Sequence, residues 1–230
     1  MRPAIRLAAM MRRPIIYVMT HDSIAVGEDG PTHEPVEHLA SLRCIPGLIT
    51  FRPADATETV GAYEWAMSQA THPVAMALSR QNLPVLATTD ATKTKRGAYV
   101  IDDCDKNPDV VLIATGSEVH VAMAVKRSMN RQYGNMAIRV VSMPSWELFE
   151  HQSRAYKISV IDPNAFAVSI EMAHPQGWGA YAEMSFGITK FGASAPGDTL
   201  IRQYGFGSED IAHKIFENLF SSPSEDAMNS

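Results

Sequence analysis

"YVMTHDSIAVGEDGPTHEPVEHLASLR", residues 17 to 43, changes character twice within one stretch. Its front completes "PIIYVMT" (14–20), an Ile- and Val-rich run that reads as a strand. Its back, within "EPVEHLASLRCI" (34–45), sets Val36, Leu39, Ala40 and Leu42 on one face of a helix. Between them lie histidines, carboxylates, glycines and prolines, a mixture suited to a tight polar loop. Strand, polar loop and helix form an α/β unit. In such units ligands bind beyond the carboxyl ends of strands, where this loop sits.

Working outward, the same alternation continues. Residues 4–11 suggest a helix before the strand. "GLITFRPA" (47–54) reads as a strand, and "DATE" from Asp55 caps a helix whose Val60, Tyr63 and Ala66 follow at helical spacing. "PVAMALS" (73–79) is a further strand. The apolar rhythm stops across 89–103, the best linker. A second α/β unit opens with 109–125, where Val110–Ala114 form a continuous apolar strand and "TGSE" predicts a capping box of Thr115 and Glu118. Strands are expected over 138–145 and 165–173, and helices over 178–187 and 208–220, before a polar tail. The fold class is α/β with a mostly parallel sheet. Because a crossover needs two strands, a chain opening on a helix suggests that the first unit is incomplete.

Composition narrows the function. The 230 residues are 46% hydrophobic and 20% charged, with a formal net charge of −5, ordinary for a globular protein. No apolar run is long enough to span a bilayer, and Arg12, Arg13 and Pro14 interrupt the opening before it could serve as a signal peptide. No aromatic-interleaved basic stripe supports nucleic-acid binding. The expectation is therefore no membrane and no nucleic-acid partner. Cys44 and Cys104 lack metal-ligand spacing and are expected to be buried, reduced thiols.

Three chemistries compete for the loop. "HEPVEH" resembles a zinc helix, but His33 and His38 are five apart and diverge by about 140° around a helix, so no metal site is expected. His21, Asp22 and Ser23 are triad residue types, yet adjacency does not give triad geometry, and no G-x-S-x-G elbow is present. A grip for hydroxyls or phosphate fits better. Histidines bond hydroxyls and phosphate oxygens, and "GEDGP" (27–31) brings backbone and side chains close to a ligand. The post-strand loop "LSRQNLP" (78–84) adds Arg80, whose planar fork suits phosphate. Glu34 and Glu37 read as first-turn helix carboxylates, His38 and His72 as surface histidines, and Glu118 and His120 as cap and surface.

With these residues in view, 17–43 closely resembles the pyrimidine-domain signature of transketolases. "ALSRQNLP", "IATGSEV", "RVVSMPS" and "FGASAPGDTLIRQYGF" follow in that family's order. Deoxyxylulose-phosphate synthases and pyruvate dehydrogenase β-subunits share the architecture and parts of the D-G-P-T-H segment, but not the full string together with S-R-Q-N. The resemblance implies transfer of a two-carbon ketol unit from a ketose phosphate to an aldose phosphate with thiamine diphosphate and magnesium. It implies that His21 and Arg80 hold the substrate phosphate, that Asp29 contacts a sugar hydroxyl, and that His33 lies near the donor hydroxyl and the cofactor's aminopyrimidine. It also implies a partial pyrimidine-binding domain over 1–97 and a carboxyl-terminal domain over 98–230, its tail frayed from about 221. That second domain is expected to carry dimer contacts and no catalytic residue.

The family's G-D-G…N diphosphate motif, catalytic glutamate and aromatic ring sandwich are not in these residues. No catalytic set is complete in the chain, and most of the binding site for cofactor and magnesium is missing. The chain is expected to be inactive alone and to need a transketolase amino-terminal chain or a full-length subunit, with a homodimer as a further possibility. The rival is a non-catalytic interaction or regulatory module, or a gene relic, that associates with full-length transketolase. A cytoplasmic location is expected, with a plastid left open because a transit peptide would lie upstream.

Overall fold

The computed structural model describes residues 1–134 and 136–220; the tail expected to fray from about 221 lies outside them. The chain runs through α1 (Arg2–Met10), β1 (Ile16–Met19), α2 (His38–Arg43), β2 (Ile49–Phe51), α3 (Ala56–Ser68) and β3 (Val74–Ala77). These strands form a parallel sheet in the order β1-β3-β2. All four residues of the central strand β3 are buried, which is why its sequence is apolar without alternation. On the edge strand β1, Val18 is exposed.

The chain continues through α4 (Ala91–Thr94), β4 (Tyr99–Asp102), β5 (Val110–Ala114), α5 (Glu118–Tyr133), β6 (Ile138–Ser142), α6 (Trp146–Glu150), α7 (Arg154–Val160), β7 (Phe166–Ile170), β8 (Met184–Phe186), α8 (Gly197–Gln203) and α9 (Ser208–Phe220). The second sheet has the order β4-β6-β5-β7-β8, parallel except for β4, which runs antiparallel to β6. From β5 the chain goes by α5 to β6 on one side, then by α6 and α7 to β7 on the other. This reversal opens a crevice at the carboxyl ends of β5 and β7. The two sheets also share packing, since Leu148 of α6 joins Ile49, Phe51, Val74 and Met76 in one apolar cluster.

Several expectations change. Residues 89–103 are not an open linker: Asp90 caps α4 by accepting from the Thr92 and Lys93 N–H groups, and β4 buries Tyr99 and Ile101. Its alternation covers only four residues, too few to stand out in the sequence. The helix expected over 178–187 is a 3₁₀ turn at Trp178–Ala180 followed by β8. Gly177 and Gly179 weaken helix there, and Met184–Phe186 pairs with β7 instead. On α3 the buried face is Glu58, Gly61, Ala62 and Ala66, while Val60 is 52% exposed. Cys44, expected buried, is exposed at the end of α2, and Cys104 is half-buried.

Candidate functional site

The polar loop leaves β1 at Thr20 and turns sharply at His21, whose φ of 66° lies in the left-handed region. Ser23 is buried and its Oγ accepts from the Ala25 N–H at 3.3 Å, which starts a 3₁₀ turn over Ile24–Val26. That role, with its burial, removes Ser23 as a nucleophile. Gly27 follows with φ of 84°, and a Cβ there would stand 3.0 Å from the Gly197 N. Ser194 Oγ donates to the Glu28 carbonyl at 2.7 Å. The "GEDGP" turn is thus clasped by the segment leading into α8, and its tip carries Asp29 outward.

Three of the four expected grip residues converge there. His21 Nε2 is 3.9 Å from Asp29 Oδ2, and Arg80 Nε, from the loop after β3, is 4.0 Å from the same oxygen. Thr20 Oγ1 lies 2.8 Å from His21 Nδ1, and Thr32 Oγ1 lies 3.0 Å from His33 Nδ1. Each imidazole is thereby oriented through one nitrogen. His33 lines the same cleft as His21, a cavity of about 490 Å³ whose wall includes Asp22, Glu34, Leu39 and Phe191. Asp29 and Arg80 stand beside that cleft rather than in its lining. Two imidazoles, a carboxylate and a guanidinium on an open surface can receive a polyhydroxyl anion.

The neighbouring residues differ from the sequence reading. Glu34 is buried rather than in a helical first turn, because α2 begins only at His38. Burial holds its carboxyl above the ordinary range, and a side chain on Gly192 would collide with it. Phe191, 74% exposed, brings the second unit to the cleft wall. His38 and Glu37 are exposed and 3.5 Å apart. Among the described residues no three His, Cys, Asp or Glu side chains are grouped to hold a metal ion.

Beneath the loop lies a charged network that the sequence reading missed. Arg52, fully buried after β2, places Nε and Nη2 each 2.9 Å from Asp22 Oδ2. Its Nη1 donates to Thr115 Oγ1 at 2.9 Å and to Glu118 Oε2. Thr115 and Glu118 therefore do not form the expected capping box. Glu118 is 0% exposed and also accepts from the Met172 N–H at 2.8 Å and from Ser117 Oγ at 2.5 Å. Gly116, with φ of 54°, lets the chain pass so close that a Cβ would stand 2.8 Å from the Arg52 Cζ. Arg43 meets Glu171 through both terminal nitrogens, at 2.7 and 2.8 Å, and lies 3.9 Å over the Trp146 ring.

Burial works against the Arg52 charge, but the carboxylates of Glu118 and Asp22 outweigh it and hold the guanidinium protonated. For Glu171, burial opposes ionisation and Arg43 overcomes it, bringing the carboxyl down to about 2. One signal could have found this network. Arg52 directly follows "ITF" (49–51), and Glu171 interrupts "AVSIEMA" (167–173). A charge inside a buried apolar run must be paired.

The sequence model described as "Transketolase, pyrimidine binding domain" matches residues 1–85, and "Transketolase-like TK C-terminal domain" matches 97–207. The transketolase of Bacillus subtilis is 47% identical over 223 residues, covering 94% of this chain and 33% of that protein. The chain spans about a third of the length of the curated relatives it matches. The solved transketolase of Leishmania mexicana superposes with a TM-score of 0.90 at 38% identity, over 99% of this chain and 34% of that one. A split-gene transketolase, solved as an inactive β4 tetramer, shares the fold with a TM-score of 0.72 at 20% identity, covering 94% of this chain and 74% of that chain.

Proposed function

Because the chain belongs to the transketolase family, we propose that it supplies the sugar-phosphate half-site of a ketol transferase. The carrying observation is the convergence of His21, Asp29 and Arg80 from separate loops beside the cleft that His33 lines. His21 and Arg80 bind the phosphate. Asp29 accepts from a sugar hydroxyl, and His33 lies toward the donor hydroxyl and the cofactor. We place the boundary between the pyrimidine-binding and carboxyl-terminal domains near residue 97.

Thiamine diphosphate, when bound, supplies the carbanion chemistry. The residues here fit only its edge, through His33. The diphosphate's magnesium needs ligands that the described residues do not bring together. The half-site is therefore completed by a diphosphate-binding domain from another segment or chain. Leu7, Met10, Met11, Ile15 and Val18, all exposed on and around α1 and the edge strand β1, offer apolar surface for such an association.

The test is ketol transfer from xylulose 5-phosphate to ribose 5-phosphate with thiamine diphosphate and magnesium. The expected result is no sedoheptulose 7-phosphate from the chain alone, and product once a chain carrying a transketolase diphosphate-binding domain is added. His33→Ala should abolish that product. Turnover by the chain alone would overturn the half-site reading. No turnover in either mixture would favour a non-catalytic interaction module.

A further inference from the structure

His21 is one of two non-glycine residues with positive φ among those described, the other being Arg12. A histidine in the left-handed region is strained by about 1 kcal/mol or more and persists only where its surroundings fix it. Its Thr20 contact orients the ring, not the backbone. The next residue is anchored instead. Asp22 is buried and its Oδ2 receives two nitrogens of Arg52 at 2.9 Å. Arg52 is in turn held from the far side by Glu118, at the start of α5, and by Thr115, at the end of β5.

We propose that Asp22, Arg52 and Glu118 are positioning residues that hold His21 in its left-handed conformation and so aim its imidazole at the substrate phosphate. This rests on the phosphate reading of His21 given above. It assigns the second unit a part in the site through Glu118, which does not line the cleft. The chain of contact is short. Glu118 fixes the Arg52 guanidinium, Arg52 fixes the Asp22 carboxylate, and Asp22 pins the peptide that carries His21. Thr115 adds its Oγ1 at 2.9 Å and its carbonyl at 3.2 Å to the same guanidinium.

The test uses the full chain, labelled for NMR, with Glu118→Gln and Asp22→Asn as separate variants. Folding is checked by far-UV circular dichroism. Two readouts are followed. The first is ligand-free: the His21 Cα and Cβ chemical shifts, which report its φ, should move away from left-handed values in either variant. The second is a titration with ribose 5-phosphate followed on the His21 ring and the Arg80 side chain. Each variant should bind about tenfold more weakly, and in a His21→Ala background neither should weaken binding further, because the two changes remove one interaction.

Unmoved Cα and Cβ shifts overturn the positioning role. So do losses that add to that of His21→Ala, the result expected of a general structural effect. If ribose 5-phosphate leaves the native His21 ring untouched, the phosphate reading fails, and the ligand-free shifts alone decide whether Asp22 and Glu118 set the backbone. Should Glu118→Gln not fold, Asp22→Asn, which keeps the shape of the side chain, carries both readouts.

Discussion

Replacing Glu171 by glutamine separates a charge effect from a packing effect, because the two side chains have nearly the same shape. Glu171 directly follows β7, is 1% exposed, and accepts four hydrogen bonds. Arg43 Nη2 and Thr115 Oγ1 reach Oε1 at 2.7 and 2.6 Å, while Arg43 Nη1 and Trp178 Nε1 reach Oε2 at 2.8 and 2.9 Å. All four partners are donors. Glutamine would turn one oxygen into a donor facing donors and would leave Arg43 buried without its counter-charge. The fall of the carboxyl from 4.5 to about 2 corresponds to about 3 kcal/mol of stability at neutral pH. The known cost of removing one partner from a buried pair, about 3–5 kcal/mol, agrees.

The pH dependence has a definite sign. The folded-state value lies below the unfolded one, so the contribution is whole above the ordinary value of 4.5 and is lost as pH falls through about 2. Urea denaturation at pH 7 should therefore show Glu171→Gln about 3 kcal/mol less stable than the native chain, with the gap narrowing to about 1 kcal/mol at pH 3. Burial pushes the carboxyls of Glu58 and Glu118 the other way, but both chains carry them and the difference cancels their effect. A gap that stays constant from pH 7 to pH 3, or one well under about 1 kcal/mol at pH 7, would refute the reasoning.

Gly97 should not tolerate a side chain. Its φ is 86°, and a Cβ would stand 2.2 Å from the Phe149 N and 2.4 Å from the Ser145 O, both backbone atoms. Gly97→Ala is expected to cost about 3 kcal/mol or more in urea denaturation, and a loss below about 1 kcal/mol would show that α6 can shift away. On α3, Val60→Asp should change stability by less than about 0.5 kcal/mol, whereas Ala62→Asp, at a fully buried position, should abolish the folded circular-dichroism signal. The reverse ranking would mean that the helix is turned the other way.

Legibility followed length and environment. Val110–Ala114 is buried throughout between two parallel neighbours, so its five apolar residues announce a strand. The amphipathic run 208–220 is equally plain, because α9 packs one face on α5, with Tyr133 and Phe216 stacked 3.9 Å apart. By contrast β4 and β8 are short edge strands whose pairing depends on distant partners, Val100 lying opposite Val141, 41 residues on, and Ser185 opposite Ser169, 16 residues back. A local window contains no trace of such partners. The convergence of His21, Asp29 and Arg80 was legible because turn chemistry and post-strand position mark their loops. Phe191 was not, since nothing near it in sequence indicates that its segment reaches the cleft.

The buried charges occupy the place where the second unit would otherwise be expected to meet a ligand. In an open α/β sheet the crevice at the reversal of strand order is the place where ligands bind. Here that crevice lies between the ends of β5 and β7, where Thr115 and Glu171 stand. Arg52 and Arg43 of the first unit reach into it. Their guanidinium groups occupy the acceptors that a ligand would otherwise meet, and Gly116 makes room for one of them. The ligand position of one unit has become the joint between two. A joint built of paired charges also depends on each member, because removing one leaves its partners buried and unneutralised. The loop carrying His21 is attached to that joint through Asp22. Loosening the second unit should therefore disturb the half-site before it disturbs the first sheet, whose strands pair independently of Arg52.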